Sequence, residues 1–196
     1  VATAGNDHRL GANEAPPAII SMFLGSDLTE VLEAIEVDGD YINKKKEVME
    51  SGVTALPNFV KDTTDRNRTS PFAFTGNKFE FRMPGSSLSI SGPNFVLNTV
   101  VAESLSQFAD ELEGKDDFEA AVLELLKKTI KEHKRIIFNG NNYSDEWVEE
   151  AQRRGLLNLK TTVDALPSFI AEKNVKLFTK HKIFTVSELH SRYEIL

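Results

Sequence analysis

Lys78, Glu80 and Arg82 occupy every second position of one short stretch, and Phe79, Phe81 and Met83 fill the places between. On an extended strand that period sends the two sets to opposite sides. Two chemistries are open to the charged side. It can be the wet, salt-bridged outer face of a sheet edge. Beside a polar cavity, the carboxylate could instead bind a hard cation while arginine and lysine contact phosphate or a substrate carboxylate. Asp65-Arg66-Asn67-Arg68 lies just upstream. Its arginines are either solvated or close enough to bring one guanidinium to the same place. Residues 5–17, Gly-Asn-Asp-His-Arg-Leu-Gly-Ala-Asn-Glu-Ala-Pro-Pro, are polar and rich in turn formers. Glu14 there could serve only to favour a helix N-terminus. Each structural reading is sufficient alone; none explains why the three segments occur together.

Other chemistries are poorly supported. Neither G-x-x-x-x-G-K-[ST] nor G-x-G-x-x-G occurs. His8, His133, His181 and His190 form no H-x-H or H-x-x-x-H pair, and there is no Cys to complete a zinc site or act as a thiolate. His133 and His181 stand among lysines and read as solvated. Asn67-Arg-Thr69 and Asn142-Tyr-Ser144 match glycosylation sequons, but residues 1–10 do not look like a secretion signal, so both read as chance.

The charged stretch needs a strand under it. Phe72 and Phe74 lie upstream across Thr75-Gly76-Asn77, so 72–83 is expected to be a short hairpin. Around it, Pro16-Pro17 followed by Ile19, Ile20 and Phe23 predicts a helix over Asn13–Leu24. Asp27-Leu-Thr-Glu30 reads as a capping box opening a helix with Leu28, Val31, Leu32 and Ile35. No clear period appears over 36–65. A long helix is expected over 93–112, with Leu97, Val100, Val101, Leu105, Phe108 and Leu112 as its apolar stripe. Asp116-Asp-Phe-Glu119 reads as another capping box, and shorter helices are expected at 145–154, 163–172 and 186–194, the last opened by Thr185-Val-Ser-Glu188.

The 196 residues carry 23 Lys+Arg against 30 Asp+Glu, a net charge of −7, with 40% hydrophobic residues. That is a globular composition able to bury a core. Its acidity argues against a protein that coats nucleic acid or anionic membrane, and no apolar run is long enough to span a bilayer. The lack of Cys fits a reducing, cytoplasmic compartment.

Three segments together resemble a known family. RLGANEAPP at 9–17 resembles the Arg-Leu-x-x-Gly-x-Glu-Ala-Pro loop of glutamine synthetases. NRTS at 67–70 resembles their Asn-Arg-Ser segment. KFEFRMPGSS at 78–87 resembles their Arg-x-Glu-x-Arg-x-Pro strand, followed by a Pro-Asn-Phe helix start, and the order is the family's. The wording NDHRLGANEAPPAI and DRNRTSPFAFTGNKFEFRMPGSS is similar to that of the large bacterial type III enzymes.

The resemblance implies an α+β fold. Residues 1–112 would be a partial catalytic domain with short antiparallel strands, and 113–196 a helical region. It implies ATP-dependent ligation of ammonium to glutamate, with Mg2+ or Mn2+, in a homo-oligomeric enzyme. Arg9 would hold a substrate carboxylate, Glu14 would take a proton from ammonium, and Arg68 would lie near the nucleotide and the transferred phosphoryl group. Lys78 would lie near the nucleotide, Glu80 would bind metal, and Arg82 would contact the γ-carboxylate and phosphoryl group. Two departures stand out: the family often has a second arginine where this chain has Ala73, with Arg66 a weak substitute, and the 9–17 loop is one residue shorter. The family's other metal ligands are not in these 196 residues, so the chain is expected to be an internal piece of a longer enzyme, inactive alone. Competing readings are a non-catalytic helical assembly module and guanidino-kinase chemistry, the latter needing a reactive-Cys region that this chain lacks.

Overall fold

Period two produces the expected hairpin, and period 3.6 produces helices in most of the segments that carry it. The computed structural model describes residues 16–37, 39, 48–49, 59–60, 67–83 and 88–196. The hairpin consists of β4 (Phe72–Phe74) and β5 (Phe79–Phe81), antiparallel, with Ala73 opposite Glu80. Thr75 N–H donates to the Lys78 carbonyl (2.8 Å), closing the turn, and Gly76 takes a φ of +89° that a side chain would resist. Phe72, Phe74, Phe79 and Phe81 share one side, with neighbouring ring centroids 5.1–5.9 Å apart.

The segment before the hairpin departs from expectation. The described part of Asn13–Leu24 is not helical; Met22–Phe23 forms β1, parallel to β4, in a sheet of order β1-β4-β5. Ile137 bridges Met22 from the other side, and Phe138 N–H donates to the Met22 carbonyl (3.0 Å). Strand pairing on both flanks outweighs the helical spacing of Ile19, Ile20 and Phe23, and it still buries Ile19 and Phe23. A separate antiparallel pair joins β2 (Val48–Met49) to β3 (Phe59–Val60).

Seven helices occur among the described residues: α1 (Gly25–Glu36), α2 (Ser91–Leu112), α3 (Phe118–His133), α4 (Asp145–Arg153), α5 (Thr162–Ala165), α6 (Glu172–Lys180) and α7 (Val186–Ile195). The fold class is α+β. α1 starts two residues before the expected Asp27 box and has no side-chain cap from its own N-terminus. Asp117, one residue beyond the expected cap, accepts from Ala120 N–H (3.0 Å). Thr185 and Glu188 form the expected capping box of α7. The helix expected at 163–172 is broken into α5, a 3-10 segment over Leu166–Ile170 and the start of α6, since Pro167 cannot donate to a continuous helix.

Two buried clusters organise the rest. Ile19, Trp147 and Ala151 pack with Phe138, Val148 and Leu156, joining the sheet to α4. Phe169, Phe178 and Leu189 pack with Phe95, Val96 and Phe184, joining α2 to α6, α7 and the 3-10 segment. The expected stripe of α2 is only partly covered. Phe95 and Val96 pack on this cluster and Thr99 is buried, while Val100, Val101 and Leu105 are exposed and Leu97, Phe108 and Leu112 are half-buried, because α2 packs against both α3 and α6.

Candidate functional site

The hairpin sets the geometry. Arg82 N–H donates to the Pro71 carbonyl (2.7 Å), which extends the ladder past β5 and keeps Arg82 on the side of Glu80. Its Nε and Nη2 lie 3.3 and 3.2 Å from one Glu80 oxygen, and its Nη1 donates to the Asn67 carbonyl. Lys78 Nζ stands 3.7 Å from the other Glu80 oxygen. The guanidinium is thus fixed from two sides, and Arg82 is the least exposed of the three charged groups, its side chain 27% exposed against 66% for Lys78.

Asn67 turns the chain into β4. Its Oδ1 accepts from the amides of Thr69 (2.9 Å) and Ser70 (3.2 Å) and from the Thr69 hydroxyl (2.7 Å). This is the local asparagine turn that competes with regular structure. Arg68, next in sequence, is exposed. Lys78, Glu80 and Arg82 form one charged corner, and the Asn67 carbonyl that holds Arg82 brings the Arg68 backbone beside it. Arg9, Glu14 and Arg66 lie outside the described residues.

Ala73 is buried directly opposite Glu80 on the central strand. An arginine there would have to bury its charge or displace the residues that cover Ala73.

The donor set does not by itself make a metal centre. A hard dication takes about six oxygen ligands, and the described residues contain no group of three or more metal-ligating side chains. Glu80 already faces two cations. What the corner offers is positive charge on a rigid hairpin, suited to phosphate or carboxylate oxygens.

Residues outside the expected set hold this corner. Asn67 Nδ2 donates to the Gly140 carbonyl (2.8 Å), and Asn142, 2% exposed, donates through Nδ2 to Ser21 Oγ (2.7 Å). The two sequon asparagines are structural, and burial withholds the Asn142 amide from a glycan. Nothing in their spacing distinguishes them from ordinary turn asparagines. His181 also departs from its solvated reading: its Nε2 lies 2.7 Å from Glu103 Oε2 on α2.

Residues 121–196 match the profile of the glutamine synthetase C-terminal domain. The full chain is 50% identical to a glutamine synthetase of Butyrivibrio fibrisolvens and covers 28% of that protein. It is 50% identical to a type-3 glutamine synthetase of Dictyostelium discoideum, covering 27% of it. It is 40% identical to a glutamine synthetase of Bacteroides fragilis, covering 28%. The similarity to these glutamine synthetases runs over the whole chain. It spans between a quarter and a third of the length of these relatives. Among the described residues no helix is long and apolar enough to cross a membrane.

Proposed function

We propose that the chain works as a segment of a glutamate–ammonia ligase that makes glutamine from glutamate, ammonium and ATP. The 50% identity to two glutamine synthetases across every residue carries this reading, and the cationic hairpin corner supports it. A γ-carboxylate oxygen of glutamate attacks the γ-phosphorus of ATP, and ADP leaves. Ammonia then attacks the resulting acyl phosphate carbon, and phosphate leaves with the bonding pair. Both steps build negative charge on phosphoryl oxygens, which fixed cations stabilise best when they need no rearrangement.

Arg82 and Arg68 are assigned to the phosphoryl oxygens, Arg82 also to the γ-carboxylate, and Lys78 and Arg68 to the nucleotide. Arg9 is assigned to a carboxylate of the substrate glutamate. Glu14 is assigned as the base that converts ammonium to ammonia. Glu80 is assigned to Mg2+ or Mn2+ only together with oxygens from beyond the described residues. Residues 1–112 would belong to the catalytic domain and 113–196 to a helical region, within a cytoplasmic homo-oligomer.

The test is to assay the full-length protein for glutamine and phosphate. Wild type is expected to turn over and the 196-residue chain alone is not. Glu14→Ala is expected to lower amide formation by roughly 10²–10⁴-fold with ATP and glutamate still bound. A full-length protein that forms no glutamine overturns the reading.

A further inference from the structure

The arginine corner is held by a loop that follows it by more than fifty residues. Ile137 and Phe138 extend the sheet beyond β1. Asn139 Oδ1 accepts from the amides of Leu24 and Gly25, both at 3.1 Å, and its Nδ2 donates to Thr29 Oγ1 (2.9 Å). It thereby supplies the cap that α1 lacks locally. The Gly140 carbonyl holds Asn67. Asn142 N–H donates to Thr69 Oγ1 (3.0 Å). The Thr69 hydroxyl has one hydrogen. It lies 2.7 Å from Asn67 Oδ1 and 3.4 Å from Asn142 Oδ1, so the hydrogen goes to Asn67 while the same oxygen receives the Asn142 amide. The Asn67 peptide so fixed is the one whose carbonyl receives Arg82.

We propose that the loop 137–142 positions the Arg68–Arg82 corner, with Asn142 and Thr69 as the pair through which it acts. The inference rests on the ligase reading and deepens it: residues inside the C-terminal family region set the geometry of arginines 60 to 74 residues upstream of Asn142. Neither Asn142 nor Thr69 needs to touch substrate; both are positioning residues. A satisfied polar network is rigid, and one missing member leaves a buried partner unpaired. Without the Thr69 hydroxyl, the buried Asn142 amide loses its acceptor and Asn67 Oδ1 loses a donor. The Asn67 peptide loosens, and the guanidinium it holds loosens with it. Misplacement by about 1 Å can cost about 10²-fold in rate.

The experiment compares Thr69→Val, which is isosteric but lacks the hydroxyl, with Thr69→Ser, which keeps it, in the full-length protein. Thr69→Val is expected to lower kcat by roughly 10–100-fold with little change in KM for ATP, and Thr69→Ser to restore most of it. Wild-type kcat in folded Thr69→Val, or a loss that Thr69→Ser does not restore, overturns the proposal. If the wild type itself forms no glutamine, the ligase reading fails separately. Hydrogen exchange on the wild-type chain then decides the positioning, and does so equally if Thr69→Val does not fold. The Asn142 and Arg82 amides are expected to open with one common free energy. An Asn142 amide that exchanges freely while Arg82 stays protected overturns it.

Discussion

The arginine corner and the helical cluster around Phe178 are held together by different physics. The corner depends on directed bonds between residues far apart in sequence, such as Asn67 to Gly140 and Asn142 to Ser21. Its phenylalanine side is partly open, with Phe79 47% exposed. The helical cluster depends on rings: Phe95, Phe169, Phe178 and Phe184 lie 5.1–6.4 Å apart, mostly edge to face. Leu189 is fully buried among them, and Arg192 lies over Phe184. Burial is non-directional and tolerates small shifts. A hydrogen bond fixes individual atoms but is lost within a fraction of an ångström. The charged groups of the hairpin sit on the second kind of support.

That contrast can be broken most strongly at Trp147, which joins sheet to α4. Trp147→Ala is expected to cost about 3–5 kcal/mol and to release the corner while α6 and α7 keep their packing. Amide exchange by NMR would show equal loosening in both regions if they are one cooperative unit. Next is Gly140→Ala. A Cβ there would stand 2.6 Å from the Phe138 ring, which cannot swing aside because it stacks on Trp147 at 3.8 Å. Denaturant titration should give a loss of about 1–3 kcal/mol.

Helix caps sharpen the comparison at a smaller scale. Thr185→Ala removes the local box of α7 and should cost about 1 kcal/mol, confined to the helical cluster. A matching loss at the arginine corner would contradict that confinement.

The smallest effect expected is acid sensitivity between α2 and α6. Lys180, then His181 and Gln107, hydrogen-bond the Glu103 carboxylate and pull its pKa from 4.5 to about 2. A carboxylate whose folded value is depressed stabilises above its unfolded value, so this contribution is present above about pH 4.5 and fades as pH falls toward 2. Thermal melts of wild type and Glu103→Gln should converge over that window. Because these groups are partly exposed, high salt should shrink the difference too.

What was legible in the sequence follows the same divide. The hairpin, α2, α7 and its capping box were readable because their signals are local: period two, period 3.6, and a Thr-x-x-Glu spacing. The shared side of Lys78, Glu80 and Arg82 followed from the strand period alone. β1 was not readable, because its partners are β4 and Ile137, about 50 and 115 residues away. The buried side of α2 was misread for a related reason. Its apolar residues surround much of the helix, and the positions of α3 and α6 decide which of them are covered. Asn139 as the cap of α1 leaves no trace near α1 itself.

Trp147 is the chain's one tryptophan, 1% exposed, stacked on Phe138 with the Arg154 guanidinium 5.5 Å from its centre. An optical label is therefore built in at the seam between sheet and α4, and none exists among the rings of the helical cluster. Its emission should be blue when the seam is shut and shift to the red as water reaches the indole. Circular dichroism in the peptide band weighs all the helices at once. Recorded on the same sample, the two signals would time the opening of the seam against the melting of the helices, without any dye or added probe.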